Sequence, residues 1–189
     1  MTPGAARPIA RAGPGTLTVT DDRVFGAGGE ARARRFAARV LRFDEVRSLA
    51  LDPARASATL NYRLATGDPG SFLTRLAGTV ARPTAGMNES ELPHWPDGQP
   101  VTLYRYSNVV SIFEELNFAN GYLTARHSTI ERSHVIARRV EHALRGLPGV
   151  IQATVIGELR VRFDPNAVAA LQLIRISASA IRRPRRAVA

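Results

Sequence analysis

Arg138-Arg139-Val140-Glu141-His142-Ala143-Leu144-Arg145-Gly146-Leu147-Pro148-Gly149-Val150, joined through eight residues to Leu159-Arg160-Val161-Arg162-Phe163-Asp164-Pro165, is the stretch from which the rest of the chain can be read. Ile136, Val140, Ala143, Leu144 and Leu147 form an apolar stripe at helical spacing, so Glu131–Leu147 is predicted as an amphipathic helix. Arg138, Arg139, Glu141, His142 and Arg145 cover its remainder, and Pro148-Gly149 stops it. Val150–Ile156 and Glu158–Phe163 then read as two strands of a hairpin around Gly157. Asp164-Pro165 opens a terminal helix carrying Val168, Leu171 and Ile174, while upstream Tyr122–Ser128 is a strand. The predicted order is β-α-β-β-α.

The same order precedes it in the chain. Thr16–Thr20 alternates like a strand and ends at Asp21-Asp22. After the Gly26-Ala27-Gly28-Gly29 loop, Glu30 leads a helix in which Ala33, Phe36, Ala37 and Val40 share one face; Arg32, Arg35, Arg39 and Arg42 take the other sides. Val46–Leu51 and Ala56–Leu64 are predicted strands about the Asp52-Pro53 turn, and Asp68-Pro69-Gly70 starts a short helix with Phe72, Leu73 and Leu76 inward. The letters echo too: Gly15-Thr16-Leu17-Thr18 against Gly121-Tyr122-Leu123-Thr124, and Asn61-Tyr62-Arg63 against Arg162-Phe163-Asp164. Two copies imply tandem domains, because a solenoid needs about three repeats.

Between the copies, Pro83, Gly86, Pro93, Pro96, Gly98 and Pro100 make Arg82–Pro100 a linker or an ordered excursion. Val101–Tyr106 is an extra strand candidate. Ser107 is a candidate helix cap, with Val109, Phe113 and Leu116 at helical spacing and Asn120-Gly121 as the stop. The expected organisation is a flexible arm at 1–15, modules at 16–81 and 121–177, a linker with possible extra strand and helix at 82–120, and a basic tail at 178–189.

Composition narrows the chemistry. An apolar fraction of 44% is enough for a packed core, and no apolar run approaches the ~20 residues of a membrane-spanning helix. The absence of cysteine removes disulfides, thiolate metal sites and cysteine nucleophiles. All 26 basic residues are arginine, which excludes Schiff-base lysines and the lysine of a phosphate-binding loop. The formal charge of +10 would attract nucleic acid or an anionic membrane surface, although dispersed arginine is the simpler explanation. With no signal-like N-terminus, the expected compartment is the cytoplasm. A peripheral position at the inner face of the membrane is compatible with the basic tail.

The run from Arg138 to Pro165 resembles the heavy-metal-associated (HMA-like) module found near the N-termini of metal-translocating P-type ATPases. There a helix is followed by Leu-Pro-Gly-Val, two strands and an Asp-Pro turn into the last helix. The resemblance covers about Gly121–Ile176. It is weaker over Gly15–Ala81, where Phe43-Asp44-Glu45-Val46 replaces the Leu-Pro-Gly-Val turn. It implies an α+β fold of two tandem ferredoxin-like βαββα(β) modules, with the last strand short or missing, and a role in metal delivery, sensing or transporter regulation. The family's metal-binding Cys-x-x-Cys lies between the first strand and first helix; here those loops are Asp22–Glu30 and Ser128–Ser133, without cysteine. No metal-ligand role carries over.

His127, Glu131 and His134 are the nearest substitutes for a thiolate site, since imidazole and carboxylate together bind zinc, nickel or iron. Their spacing matches no metal signature, and polar residues at a strand end and helix start explain them as well. His142 lies two turns beyond His134, and His94 stands beside Trp95 in the Pro-rich segment. The Gly26–Gly29 loop before a helix suits an anion, yet lacks a dinucleotide fingerprint; a flexible connection is the plainer reading. Asp21-Asp22, Asp44-Glu45 and Glu114-Glu115 are adjacent, and neighbours on a helix diverge by about 100°, so they form no matched acid/base pair. No nucleophile elbow occurs, and no enzyme is expected. Arg182, Arg183, Arg185 and Arg186 form a candidate anionic-surface site.

These observations lead to a non-catalytic HMA-like protein that regulates or contacts a metal-handling transporter, with no cofactor unless a divalent metal binds. Two rivals stay open: a nucleic-acid-binding ferredoxin-like module, and a structural or membrane-surface interaction protein.

Overall fold

The computed structural model describes residues 9–64, 68–81, 92–93, 95, 97–106 and 109–182, with the side chains of 79–81 also outside the description. The chain divides into two compact units, 1–110 and 111–189. The class is α+β, with one sheet of six strands, one of four, and six helices among the described residues.

The first unit opens with a hairpin, β1 (Ile9–Gly13) and β2 (Thr16–Thr20), turning at Pro14-Gly15, where Gly15 has a φ of 67°. Asp21 then caps a four-residue helix, α1 (Asp22–Phe25), and α2 follows (Glu30–Val40). β3 (Val46–Asp52), a 3-10 turn at Pro53–Arg55, β4 (Ser57–Tyr62), α3 (Pro69–Ala81), β5 (Val101–Tyr106) and β6 (Val109–Ser111) complete it. The strand order is β1-β2-β4-β3-β5-β6. Alternation decides which face is covered: Leu17, Leu49, Leu51, Leu60 and Leu103 are buried together with Ala33, Phe36, Ala37 and Val40 of α2. Trp95, 3% exposed, lies in the same unit under the Arg34 guanidinium, 4.3 Å above its ring. Arg34 also donates to the Trp95 carbonyl at 2.6 Å.

The second unit repeats the plan. β7 (Glu115–Ala119) and β8 (Tyr122–Arg126) form a hairpin over Asn120-Gly121, both with positive φ. A short helix α4 (Ser128–Arg132), α5 (His134–Arg145), β9 (Val150–Ile156), β10 (Glu158–Phe163) and α6 (Ala170–Arg182) follow. The order is β7-β8-β10-β9. Correspondence extends to register. Leu17 faces Leu60 as Leu123 faces Val161, and Leu49 faces Leu60 as Ala153 faces Val161. Both copies even carry an irregularity one residue into the second core strand, at Val46/Ser48 and opposite Phe163.

The turns correspond as well. In the second unit Leu147 N–H donates to the Leu144 carbonyl (3.0 Å), Val150 N–H to that of Leu147 (3.2 Å), and Asp164 N–H to that of Gly149 (2.8 Å). In the first, Phe43 donates to Val40 (3.2 Å), Val46 to Phe43 (3.0 Å), and Arg63 to Glu45 (2.8 Å). The Leu-Pro-Gly-Val turn is therefore clasped to the Asp-Pro turn. Phe43-Asp44-Glu45-Val46 makes the same clasp without proline or glycine.

Several expectations are corrected. The arm at 1–15 contains β1, although 1–8 lie outside the described residues. Over 109–116 the expected helix is instead β6 and the start of β7, in different sheets, and its expected cap Ser107 lies outside the described residues. Within 82–120 the extra strand expected at Val101–Tyr106 is present as β5; with β6 it completes the first sheet, and β7 belongs to the second. Glu131–Leu147 is not one helix, since Ser133 separates α4 from α5 in an extended conformation and caps the latter through Ile136 N–H. The helix after Pro69 is 13 residues long rather than short. α6 begins at Ala170, not at Asp164, and buries Leu173, Ile174, Ser177, Ala178 and Ile181 while Leu171 stays 39% exposed. Residues 178–182 are its last turn rather than tail.

Candidate interaction faces of the second unit

The connection from first strand to first helix is where the family resemblance would put a metal site. In both units it is a capped short helix. Asp21 Oδ1 accepts from Arg23 N–H at 2.9 Å, and His127 Nδ1 accepts from Thr129 N–H at 3.0 Å. An oxygen or nitrogen at this position satisfies a helix-start donor that would otherwise be orphaned. His127 is half-buried, with the Phe113 ring edge-on at 6.1 Å. Burial first, then the Arg182 and Arg132 charges, hold its pKa below the ordinary histidine value against the opposing pull of Glu114 and Glu131. Glu114 itself accepts from Ser128 N–H at 3.1 Å. Burial pushes its carboxyl up, but the Ser128 bonds and nearby cationic groups leave it below the usual range.

Glu131 is turned to Arg126, whose guanidinium reaches it at 2.8 Å and Glu115 at 3.1 Å. These carboxylates hold the Arg126 pKa above its ordinary value, first through the Glu131 bond. His134 is exposed at the start of α5. Among the described residues no group of three or more His, Asp or Glu side chains could hold a metal ion. The structure gives His127 and Glu131 other partners instead of gathering them with His134. His142 is exposed on α5; His94 lies outside the described residues. The Gly26–Gly29 segment is a tight turn between α1 and α2, closed by Gly29 N–H on the Gly26 carbonyl at 2.9 Å. Its Gly28 N–H is taken by Glu30 Oε1 at 3.2 Å. Arg182 ends α6, whereas Arg183, Arg185 and Arg186 lie outside the described residues.

In the second unit α5 packs on β9 and on α6, the sheet buries the side chains of one face, and those of the other are half-buried or exposed. Inward go Leu123, Ala125, Ala153, Val155, Leu159, Val161 and Phe163. Outward, on the two central strands, go Tyr122, Thr124, Arg160 and Arg162, with Gln152 and Thr154 beside them on β9. Together these line a shallow concavity of about 370 Å³ whose lining contains no carboxylate. Arg162 stands in register with Tyr122, and Arg160 with Thr124. Tyr122 is 60% exposed. Neither Tyr122 nor Arg162 belongs to a sequence motif; their one signal in the sequence is an aromatic and two arginines at outward positions of predicted strands.

The sheet edge at β9 is closed by side chains. Val155 N–H donates to Glu141 Oε2 (3.1 Å), and Arg145 Nε donates to the Ala153 carbonyl (3.1 Å); Glu141 and Arg145 are themselves paired at 2.8 Å. No helix among the described residues is long and apolar enough to cross a membrane. No family model matches the chain, and neither a curated protein nor a solved structure does.

Proposed function

We propose that the chain is a non-catalytic HMA-like protein that regulates or contacts a metal-handling transporter from the cytoplasmic side, acting through its surfaces and not through a thiolate metal site. The observation that carries this reading is the clasp between the Leu147-Pro148-Gly149-Val150 turn and the Asp164-Pro165 turn, since those are the residues on which the resemblance rests. A strand order of β8-β10-β9, with helices following β8 and β10 in the chain, supports a ferredoxin-like split β-α-β plan. β2-β4-β3 supports the same plan for the first unit. In each, the leading hairpin strand, β1 or β7, occupies the flank where a C-terminal strand would complete such a sheet. The capped loops argue for regulation over metal carriage, because Asp21 and His127 already serve backbone donors.

The test is metal-stimulated ATPase activity in membrane vesicles from the source cells, titrated with the purified chain. A change in maximal rate or in half-activating metal concentration for copper, zinc, cobalt or nickel supports the reading; no change with any of the four rejects it. Calorimetry of the chain with Co, Ni, Zn and Cu(I) is expected to show no heat. A binding heat abolished by His127→Asn or His134→Ala would replace regulation with metal carriage.

A further inference from the structure

The two copies of one plan act as an internal control on the open sheet faces. At the positions matching Tyr122, Thr124, Gln152, Thr154, Arg160 and Arg162, the first unit has Thr16, Thr18, Ser48, Ala50, Thr59 and Asn61. These are small and neutral, and they bond to each other: Thr18 Oγ1 to Thr59 Oγ1 at 3.1 Å, and Asn61 Nδ2 to Ser48 Oγ at 2.8 Å. The second unit has replaced this self-satisfied surface with an exposed aromatic ring and two guanidinium groups on adjacent central strands. Neither change serves the core, which lies on the opposite face. Large exposed side chains introduced at such positions point to a ligand.

We propose that this face binds single-stranded nucleic acid, with a base stacked on Tyr122 and successive phosphates met by Arg160 and Arg162. Every base offers a π-face to an aromatic platform, and arginine meets phosphate through paired N–H donors. The two arginines are two residues apart on one strand, about 6.6–6.8 Å, a step suited to neighbouring phosphates of an extended chain. The lining has no carboxylate, although Arg160 is paired with Glu158 at the rim and borders a neighbouring concavity that also holds Glu115 and Glu131, so Arg162 is the less encumbered phosphate contact. An acidic peptide would use the arginines alone and leave the Tyr122 ring without a partner. A duplex would keep its base faces stacked inside, away from the ring. This inference stands apart from the transporter reading, and its test contains no transporter.

The test is fluorescence anisotropy of the full chain with labelled 12-mer oligo-dT and oligo-U at low salt. Tyr122→Ala is expected to weaken binding by about tenfold or more, and Tyr122→Phe to retain it, given the usual worth of a stacked base. Arg160→Ala with Arg162→Ala should weaken binding and flatten the salt dependence by roughly 1 to 2 in log–log slope. Arg138→Ala with Arg175→Ala, two exposed arginines on α5 and α6, should leave affinity within about twofold if the face and not net charge is responsible. A preference between the DNA and RNA probes would identify the polymer. The proposal is overturned by absence of binding at low salt, or by equal losses in the helix control. It is also overturned if a poly-glutamate peptide or phosphatidylserine vesicles bind the chain with dependence on the arginines but oligonucleotides show none on Tyr122. All substituted side chains are exposed, and an unchanged thermal transition establishes that each variant is folded.

Discussion

Gly149 and Gly157 both have positive φ, 85° and 70°, and flank the same strand, yet they meet different surroundings. A Cβ at Gly149 would lie 2.7 Å from Ala167 Cβ and 3.1 Å from Val168 Cγ1, inside the clasp between the two turns; at Gly157 it would meet nothing within 4 Å. Gly157→Ala therefore carries only the left-handed backbone penalty, about 1–2 kcal/mol. Gly149→Ala adds overpacking and should cost roughly 2–4 kcal/mol in all. Urea unfolding of the two variants measures the difference; equal losses would remove the clasp as a structural element. The paired caps make a second prediction. The folded pKa of His127 lies below its unfolded value, so the neutral ring's contribution is complete above about 6.5 and is lost as pH falls, because the unfolded state takes up the proton first. Thr129 N–H needs the unprotonated Nδ1 in the same way. Asp21, Glu45 and Glu114, also lowered, add losses only below the ordinary carboxylate range near 4. His127→Asn keeps a capping oxygen and should flatten the melting temperature between about pH 7 and 5, while leaving the acid limb in place. Spacing alone could not reveal this use of His127. An imidazole near a carboxylate reads as a ligand pair until the backbone donor it faces is known.

At the scale of the element, the two sheets protect equivalent edges differently. β3 is covered by β5, with Leu49 facing Leu103. Its counterpart β9 ends the sheet, carries no charge or proline, and exposes Ile156 to 87%. An edge of that kind is an aggregation hazard unless something occupies its backbone groups. Glu141 and Arg145 do so, and the residues matching them in the first unit are the buried Ala37 on α2 and Leu41 just past its end, where a strand makes such side chains unnecessary. Glu141→Ala should leave Val155 N–H unpaired, cost about 1–3 kcal/mol, and raise the self-associated fraction seen by light scattering. Glu141→Gln should keep most of the protection. An unchanged monomer fraction for Glu141→Ala would mean that α5 itself screens the edge. Strands with one buried face, such as β4 and β10, were legible from alternation, and α2 and α5 from their apolar stripes. β1 and β7 were not: β1 is exposed along most of its length, and β7 buries only Leu116, so neither carries a period. Val109, Phe113 and Leu116 mimic helical spacing because two short strands separated by a turn also place apolar residues three and four apart. The Glu141–Arg145 closure was hidden for another reason. Two opposite charges four residues apart describe an ordinary surface pair, and only an uncovered strand beside them gives them work.

For the whole molecule, hairpins, register, strand irregularity and turn bonds agree between β1–α3 and β7–α6, while β5 and β6 extend the first sheet alone, and each unit has its own buried core. The repeat was legible in the sequence because its glycines and apolar alternation sit where backbone geometry requires them. What differs is what geometry leaves free: the outward positions of the sheet, the edge, and the capping atom. Independent cores predict independent folding. Val110 closes the first unit and Ser111 opens the second, where Ser111, Ile112 and Phe113 are all buried and Phe113 N–H donates to Ser111 Oγ at 3.3 Å. A division between Val110 and Ser111 therefore severs only the last residue of β6. Fragments 1–110 and 111–189 should each give a cooperative thermal transition and native-like amide dispersion. The second fragment should retain the pH dependence assigned to His127 and, if the open face acts alone, the oligonucleotide affinity that depends on Tyr122. A second fragment that is folded but binds no oligonucleotide would mean that the open face depends on the rest of the chain. One that cannot fold would reduce the two units to a single cooperative structure built twice from the same pattern.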